Sequence, residues 1–482
     1  MKRTIHCVLD RLSGISPFLA NRCVGLLLVA CALLTGCGQT LMPTPAIYRQ
    51  GGLDPFVSVR PEDRTNLVPV YYVTDREPAK TGDIRQYYSG RRSPDLRVGQ
   101  ARVRIGSPDL SWEELERESR LEKRDRNPKI TLADVIEYGP LWTREYNRDP
   151  NRPVELPESA NRSPGGQRFL AEVNQRLSKF DEKNIYIYIH GYKNSFNSSV
   201  TLGAQLHHYL GRDGVFINYA WPSRDKLALY SVDKGNSMFS VRNFRLLLEY
   251  LAERTEADHI HIIAHSAGTG VPVAAFAEMS LLDFEKSAQE IQRNRKIGNV
   301  VLAAPDIDLE IYINASLDGS NRVPKRMTLY ASREDRALKL SGWLFSMVRL
   351  GNPFKMIGPK ELTALRKSKD RVVVDVTPAQ SQYEKFLGHS YFHDNPWVSS
   401  DLFLFLKTGL EAPDRCLSPI EDGAMWTFAE DYPSRVQRIR LPAAKEDFAE
   451  PASRTIRPLP PVQPRGPLEE IDVEGGSVGG FR

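Results

Sequence analysis

From residue 184 onward the sequence repeats one pattern, and nothing else in it restricts the fold so tightly. A short apolar run is followed by a turn and then by a helix-length stretch, again and again. Ile-Tyr-Ile-Tyr-Ile at 185–189 precedes a helix-like stretch over 198–210, and the run at 215–219 precedes a helix over 240–254. The run His-Ile-His-Ile-Ile-Ala at 259–264 leads into a helix to about residue 279, and further runs stand at 299–303, 326–330 and 371–376, with a last helix around 402–406. Strands that are apolar on both faces, separated by helices, imply a mostly parallel sheet covered on both sides, an α/β fold.

The chain has 482 residues, 41% of them apolar and 26% charged, an ordinary globular balance. Its net charge is +5, of which residues 1–36 hold +3 through Lys2, Arg3, Arg11 and Arg22 against Asp10. The remainder offers no electrostatic footprint for nucleic acid. Basic residues followed by an apolar run at 24–34 read as a secretory signal, because the run is too short for the roughly 20 residues that span a bilayer. The run ends in Leu34-Thr35-Gly36-Cys37, which resembles a bacterial lipobox. Residues 1–36 are therefore expected to be a lipoprotein signal peptide, with Cys37 lipidated. Of the five cysteines only Cys37 and Cys416 would remain after cleavage, so no intramolecular disulfide is expected.

Residues 37–66 contain six helix breakers, from Pro43 to Pro61, and read as a tether. The main domain is placed at 67–410. Within it 68–73 and 98–105 read as strands, and 111–126 as a charge-dense, solvent-facing helix with Ser111 as N-cap and Glu114 three residues on. A second, amphipathic helix is expected over 169–177, and 107–166 is a possible insertion or cap. The Pro-rich stretch 411–482 reads as a largely disordered tail, with Trp426 and Phe428 as docking candidates in its first part.

The sharpest chemical signal is Ala264-His265-Ser266-Ala267-Gly268, which follows a strand and opens a helix. That is the setting of a nucleophile elbow, a tight turn that exposes a serine hydroxyl at the sheet's rim. Ala264 stands where a glycine is usual. The competing reading is a serine that merely caps a helix. A nucleophilic serine needs a base, and the base an orienting acid, in the chain order Ser, acid, His. His389 follows the last strand at a suitable place, with His393 four residues beyond. Asp335 follows the strand at 326–330, and Asp306, Asp308 and Glu334 are its rivals, since any carboxylate at a strand end could reach an imidazole. The oxyanion donors are expected to be the N–H groups of Ala267 and Tyr192, the latter in the His190-Gly191-Tyr192 turn. His190 is assigned a structural role, His207 and His208 the surface, and His259 with His261 a partly buried strand face rather than a metal site. No metal or cofactor is expected.

Several segments together resemble a family of bacterial α/β-hydrolases of unassigned function, many of them lipoproteins. They are Tyr-Val-Thr-Asp-Arg at 72–76, Ile-His-Gly-Tyr at 189–192, Trp-Pro-Ser at 221–223, Ala-His-Ser-Ala-Gly at 264–268, Ala-Pro-Asp-Ile-Asp at 304–308, Ser-Arg-Glu-Asp at 332–335 and Gly-His-Ser-Tyr-Phe at 388–392. Members commonly carry Met where Ala267 stands. The resemblance implies an α/β-hydrolase fold and a Ser-Asp-His triad, but no substrate. The expectation is a lipid-anchored envelope serine hydrolase acting on an ester, thioester or amide of a small-molecule or lipid acyl substrate. In a Gram-negative cell it would face the periplasm from the outer membrane. A non-catalytic envelope scaffold whose tail binds a protein partner, and an acyltransferase with the same triad, are the alternatives.

Overall fold

The computed structural model describes residues 39–144, 156–157, 159–224, 226, 229–368, 370–382 and 388–440. The leader, Cys37 and tail residues 441–482 lie outside them.

The centre is an 11-stranded sheet in the order β10-β11-β9-β8-β7-β6-β4-β5-β1-β2-β3. Its parallel body comprises β1 (Leu67–Pro78), β4 (Asn184–Ile189), β5 (Val215–Tyr219), β6 (His259–His265), β7 (Ile297–Ala303), β8 (Arg326–Ala331), β9 (Arg371–Asp375) and β11 (Met425–Thr427). β2 (Tyr88–Ile105), β3 (Ile130–Thr143) and β10 (Ser418–Ile420) add antiparallel edges. The helices used below are α1 (Trp112–Arg120), α2 (Pro164–Leu177), α3 (Phe196–Tyr209), α4 (Tyr230–Arg254), α5 (Gly270–Leu282), α6 (Leu309–Leu317), α7 (Arg336–Phe345), α8 (Pro396–Thr408) and α9 (Tyr432–Val436).

β4 shows how the pattern builds two cores. All six of its residues are buried. Ile185, Ile187 and Ile189 join the layer holding Phe244 and Leu248 of α4 and Phe276 of α5. Tyr186 and Tyr188 point the other way, into the layer of Phe196 from α3 and Phe403 from α8. A strand alternates its side chains between faces, so an unbroken apolar run can be stable only with helices on both.

Several expectations about the periphery need correction. The supposed tether is a strap bound to the core. Leu41, Met42, Ile47, Tyr48 and Phe56 are buried, and Tyr48 stacks against Tyr209 and Phe403 at centroid distances of 6.3 and 6.0 Å. The Met42 N–H donates to Gln205 Oε1 at 2.7 Å, which satisfies backbone that its prolines leave without helical partners. Of the 107–166 stretch, expected as an insertion or cap, the described residues 107–144 build α1 and edge strand β3, and residues 145–155 lie outside the described residues. α1 has the expected capping box at Ser111 and Glu114, but buries Trp112 and Leu115 against the strap, Trp112 edge-on to Phe56 at 5.7 Å. Tail residues 411–440 are folded as well: β11 pairs with β9, and Met425, Phe428, Tyr432 and Val436 are buried. His207 and His208 are also inside, not on the surface; His208 Nδ1 accepts from Arg212 Nη2 at 3.1 Å.

Candidate active site

Parallel strands deliver their C-terminal ends to one rim, and loops there can carry side chains that the sheet body has no room for. β6 ends at His265, and Ser266 turns with φ +54°, a left-handed conformation costly for any residue with a Cβ. The turn is packed from both sides. A Cβ on Gly268 would lie 2.1 Å from the His190 carbonyl oxygen, and one on Gly191 would lie 2.9 Å from both Ser266 Cβ and His265 Nδ1. Only glycines let the β4 and β6 loops come this close. The Asp306 N–H donates to the Ser266 carbonyl at 3.2 Å and holds the elbow from the β7 side.

Asp335 follows β8, two strands from β6, a lateral offset of about 10 Å. An imidazole bridges that gap. The Ser266 hydroxyl donates to His389 Nε2 at 2.7 Å, and His389 Nδ1–H donates to Asp335 Oδ2 at 2.7 Å. A carboxylate only accepts, so the ring proton sits on Nδ1 and Nε2 keeps its lone pair for the hydroxyl. Asp335 is fully buried, and its other oxygen is used too, since Oδ1 accepts the Leu338 N–H at 3.0 Å as N-cap of α7. Burial pushes the His389 pKa down. The charge and hydrogen bond of Asp335, with the charge of Asp306, outweigh it, and the net position is above the ordinary 6.5.

The rival acids are engaged elsewhere. Asp306 accepts from Tyr230 Oη at 2.5 Å and Ser341 Oγ at 3.0 Å, and pairs with Arg349 at 3.1 Å; its backbone carbonyl accepts from Lys234. Asp308 caps α6, and Glu334 is exposed. His393 pairs with Asp394 at 3.1 Å. Of the two strand histidines expected to be partly buried, His261 is buried and accepts the Asn299 N–H at Nδ1 at 3.0 Å, whereas His259 is exposed.

His190 organises the loop facing Ser266. Burial, with Arg76 beside it, pushes its pKa down to about 3. The neutral ring lies parallel to Trp221, and Nε2 stands 3.2 Å from Arg76 Nη2. Nε2 also stands 3.1 Å from the Trp221 carbonyl oxygen, and Nδ1 lies 2.8 Å from the Gly191 carbonyl oxygen, so the ring bridges the two loops. Asn194 Nδ2 donates to the Gly191 carbonyl at 3.2 Å. In a trans peptide C=O and N–H point opposite ways, so holding this carbonyl aims the Tyr192 N–H away from the His190 ring.

Three positioning residues go unassigned when the sequence is read alone. Buried Arg76 donates to the carbonyls of Ser223 at 3.0 Å and Asn194 at 2.8 Å and so ties β1 to two site loops; its place in the 72–76 motif is the available signal. His265 Nε2–H donates to the His389 carbonyl at 3.1 Å. Gln380 accepts from Ser332 Oγ and donates to the Gly388 carbonyl, and nothing local in the sequence marks it. The residues before and after the serine each line a cavity. One of about 810 Å³ is polar, with His265, Asn194, Arg124 and His393 in its wall; another of about 380 Å³ includes Ala267 and is apolar.

Residues 167–405 match the model of a family described as an alpha/beta hydrolase of unknown function, DUF900. Among solved structures, the apo form of Thermogutta terrifontis esterase 2 aligns at 13% identity and TM-score 0.28 over 48% of this chain and 85% of its own. Esterase B from Lactobacillus rhamnosis, inhibited by a C6-C4 SN3 compound, aligns at 13% identity and TM-score 0.27 over 47% and 78%. Superpositions at that level carry no argument about substrate or mechanism. A search of curated proteins returns no match. The matched segment 167–405 has the α/β-hydrolase fold and holds Ser266, Asp335 and His389.

Proposed function

We propose that the protein is a serine hydrolase that cleaves an ester, thioester or amide through an acyl-enzyme on Ser266. The observation that carries this reading is the continuous relay from the Ser266 hydroxyl through His389 to Asp335, with both contacts at 2.7 Å. Ser266 Oγ attacks the substrate carbonyl carbon as His389 Nε2 takes the hydroxyl proton. The resulting imidazolium is stabilised by Asp335 and returns that proton to the leaving group as its bond to the carbonyl carbon breaks. Water then adds to the acyl-enzyme by the same route, releasing the carboxylic acid and restoring the hydroxyl. The N–H groups of Ala267 and Tyr192 hold the oxyanion. The close approach of Gly191 to Ser266 and the orientation of the Tyr192 peptide support that pairing.

A fluorophosphonate probe is expected to label wild-type protein at Ser266 and to leave Ser266→Ala unlabelled. A folded wild type that stays unlabelled would refute the assignment. The lipobox-like run ending at Cys37 supports attachment to the cell envelope, on the periplasmic face of the outer membrane in a Gram-negative cell. Labelled palmitate should then enter the wild-type chain and not Cys37→Ser.

A further inference from the structure

The cavity of about 380 Å³ lies on the side of the sheet covered by α4 and α5, and its wall begins at Ala267, the residue after Ser266. Val273 and Ala274 of α5, Ile311 of α6, and Phe345 and Met347 at the end of α7 continue it. Its two cations are occupied, since Arg349 pairs with Asp306 and Lys234 donates to the Asp306 carbonyl. The lip is unusually apolar: Met238 is 61% exposed and Ile311 60%, with Met347 and Phe345 also open to solvent. A contiguous exposed apolar surface beside a reactive group marks a binding site. The cavity next to His265 has Glu122, Lys123, Arg124 and Asp394 in its wall and suits polar groups instead.

We infer that the apolar groove holds the acyl chain of the substrate, so that the protein acts on linear aliphatic acyl groups longer than acetyl. The inference rests on the hydrolase reading and adds the substrate class. Each methylene buried in such a groove is worth about fourfold in binding. For monomeric p-nitrophenyl esters, kcat/KM should therefore climb by about two- to fourfold per methylene from acetate until the groove is filled. Ala274→Trp would fill the groove, and Ile311→Asp would charge its lip. Both should lower the octanoate-to-acetate ratio of kcat/KM, Ala274→Trp by about tenfold or more.

The binding itself is read without turnover by titrating decanoate into Ser266→Ala in a calorimeter. Saturable binding with a negative heat-capacity change, weakened by adding Ala274→Trp, is the expected result. A flat chain-length profile in a protein that labels at Ser266, or decanoate binding indifferent to Ala274→Trp in a variant that melts normally, would overturn the groove assignment. Absence of labelling would instead overturn the hydrolase reading, while the decanoate titration still tests the groove. Hydrolysis of vesicles of phosphatidylethanolamine and phosphatidylglycerol would identify membrane lipid as the source of the chain. Turnover of monomeric esters alone would identify a soluble ester.

Discussion

Asp335→Asn discriminates most sharply between this relay and its rivals. In the wild type Oδ2 accepts from His389 Nδ1–H while Oδ1 caps α7 through the Leu338 N–H. An asparagine has one carbonyl oxygen for two acceptor roles. If that oxygen keeps the cap, the amide NH2 faces His389 and donates to Nδ1. The ring proton moves to Nε2, where it points at Ser266 Oγ and blocks proton uptake. Loss of the correct tautomer in a triad costs about 10⁴-fold in kcat, or about 5.5 kcal/mol of transition-state stabilisation. If the amide instead turns to serve His389, the cap is lost, at about 0.5–2 kcal/mol of stability. The expected result is a fall in kcat/KM of about 10⁴-fold with nearly unchanged melting. Asp306→Asn keeps the backbone N–H on Ser266 but leaves buried Arg349 without its counter-charge, so it should lose stability by about 3–5 kcal/mol and activity by less than tenfold. The measurements are steady-state kinetics on an ester that the wild type turns over, paired with thermal denaturation of each variant. Asp335→Asn retaining more than a tenth of wild-type kcat/KM while melting normally would refute the reasoning, the more so if Asp306→Asn were the inactive one.

Three other outcomes are expected. In the proposed mechanism the neutral His389 imidazole is the base, and its pKa is raised above 6.5, so kcat/KM should fall as pH drops through a value above 6.5. By linkage the same shift stabilises the fold fully below the unfolded value of about 6.5, and that increment is lost as pH rises through the folded pKa; an activity profile flat from pH 8 to 5 would contradict it. Gly191→Ala forces a Cβ to within 2.9 Å of Ser266 Cβ, so the loop must withdraw; kinetics should show a loss of about 10²-fold or more with little change in melting. Arg415→Ala removes the partner of fully buried Asp401, 2.5 Å away, and should cost about 3–5 kcal/mol in a urea titration, whereas a disordered segment would show no change.

Local signals are strong where local chemistry determines structure. Apolar runs of strand length with helices between them have few alternatives, and β4 to β9 lie within a residue or two of the runs that announce them. Ser266 is legible because an elbow is written in five consecutive residues. The capping box at Ser111 is equally local and equally legible, yet charge density points its helix to solvent although Trp112 and Leu115 are buried. Burial of a short apolar segment depends on what arrives from elsewhere. Tyr48 is covered by Tyr209 and Phe403, which are far away along the chain, and β11 exists because β9 offers it an open edge. Polar and proline-rich composition therefore reads as tether and tail where folding makes a strap and a strand.

The acid shows the same division. Residues 306 and 335 both follow strands at one rim, and the sequence favours Asp335 while leaving Asp306 as a rival partner for an imidazole. Asp306 is drawn aside by Tyr230, Ser341 and Arg349, while Asp335 sits at the strand spacing that one histidine spans from Ser266. Side-chain identity and short-range spacing are properties of the chain. Which carboxylate meets which nitrogen is a property of distances across the sheet, set when strands separated by tens of residues come to rest side by side.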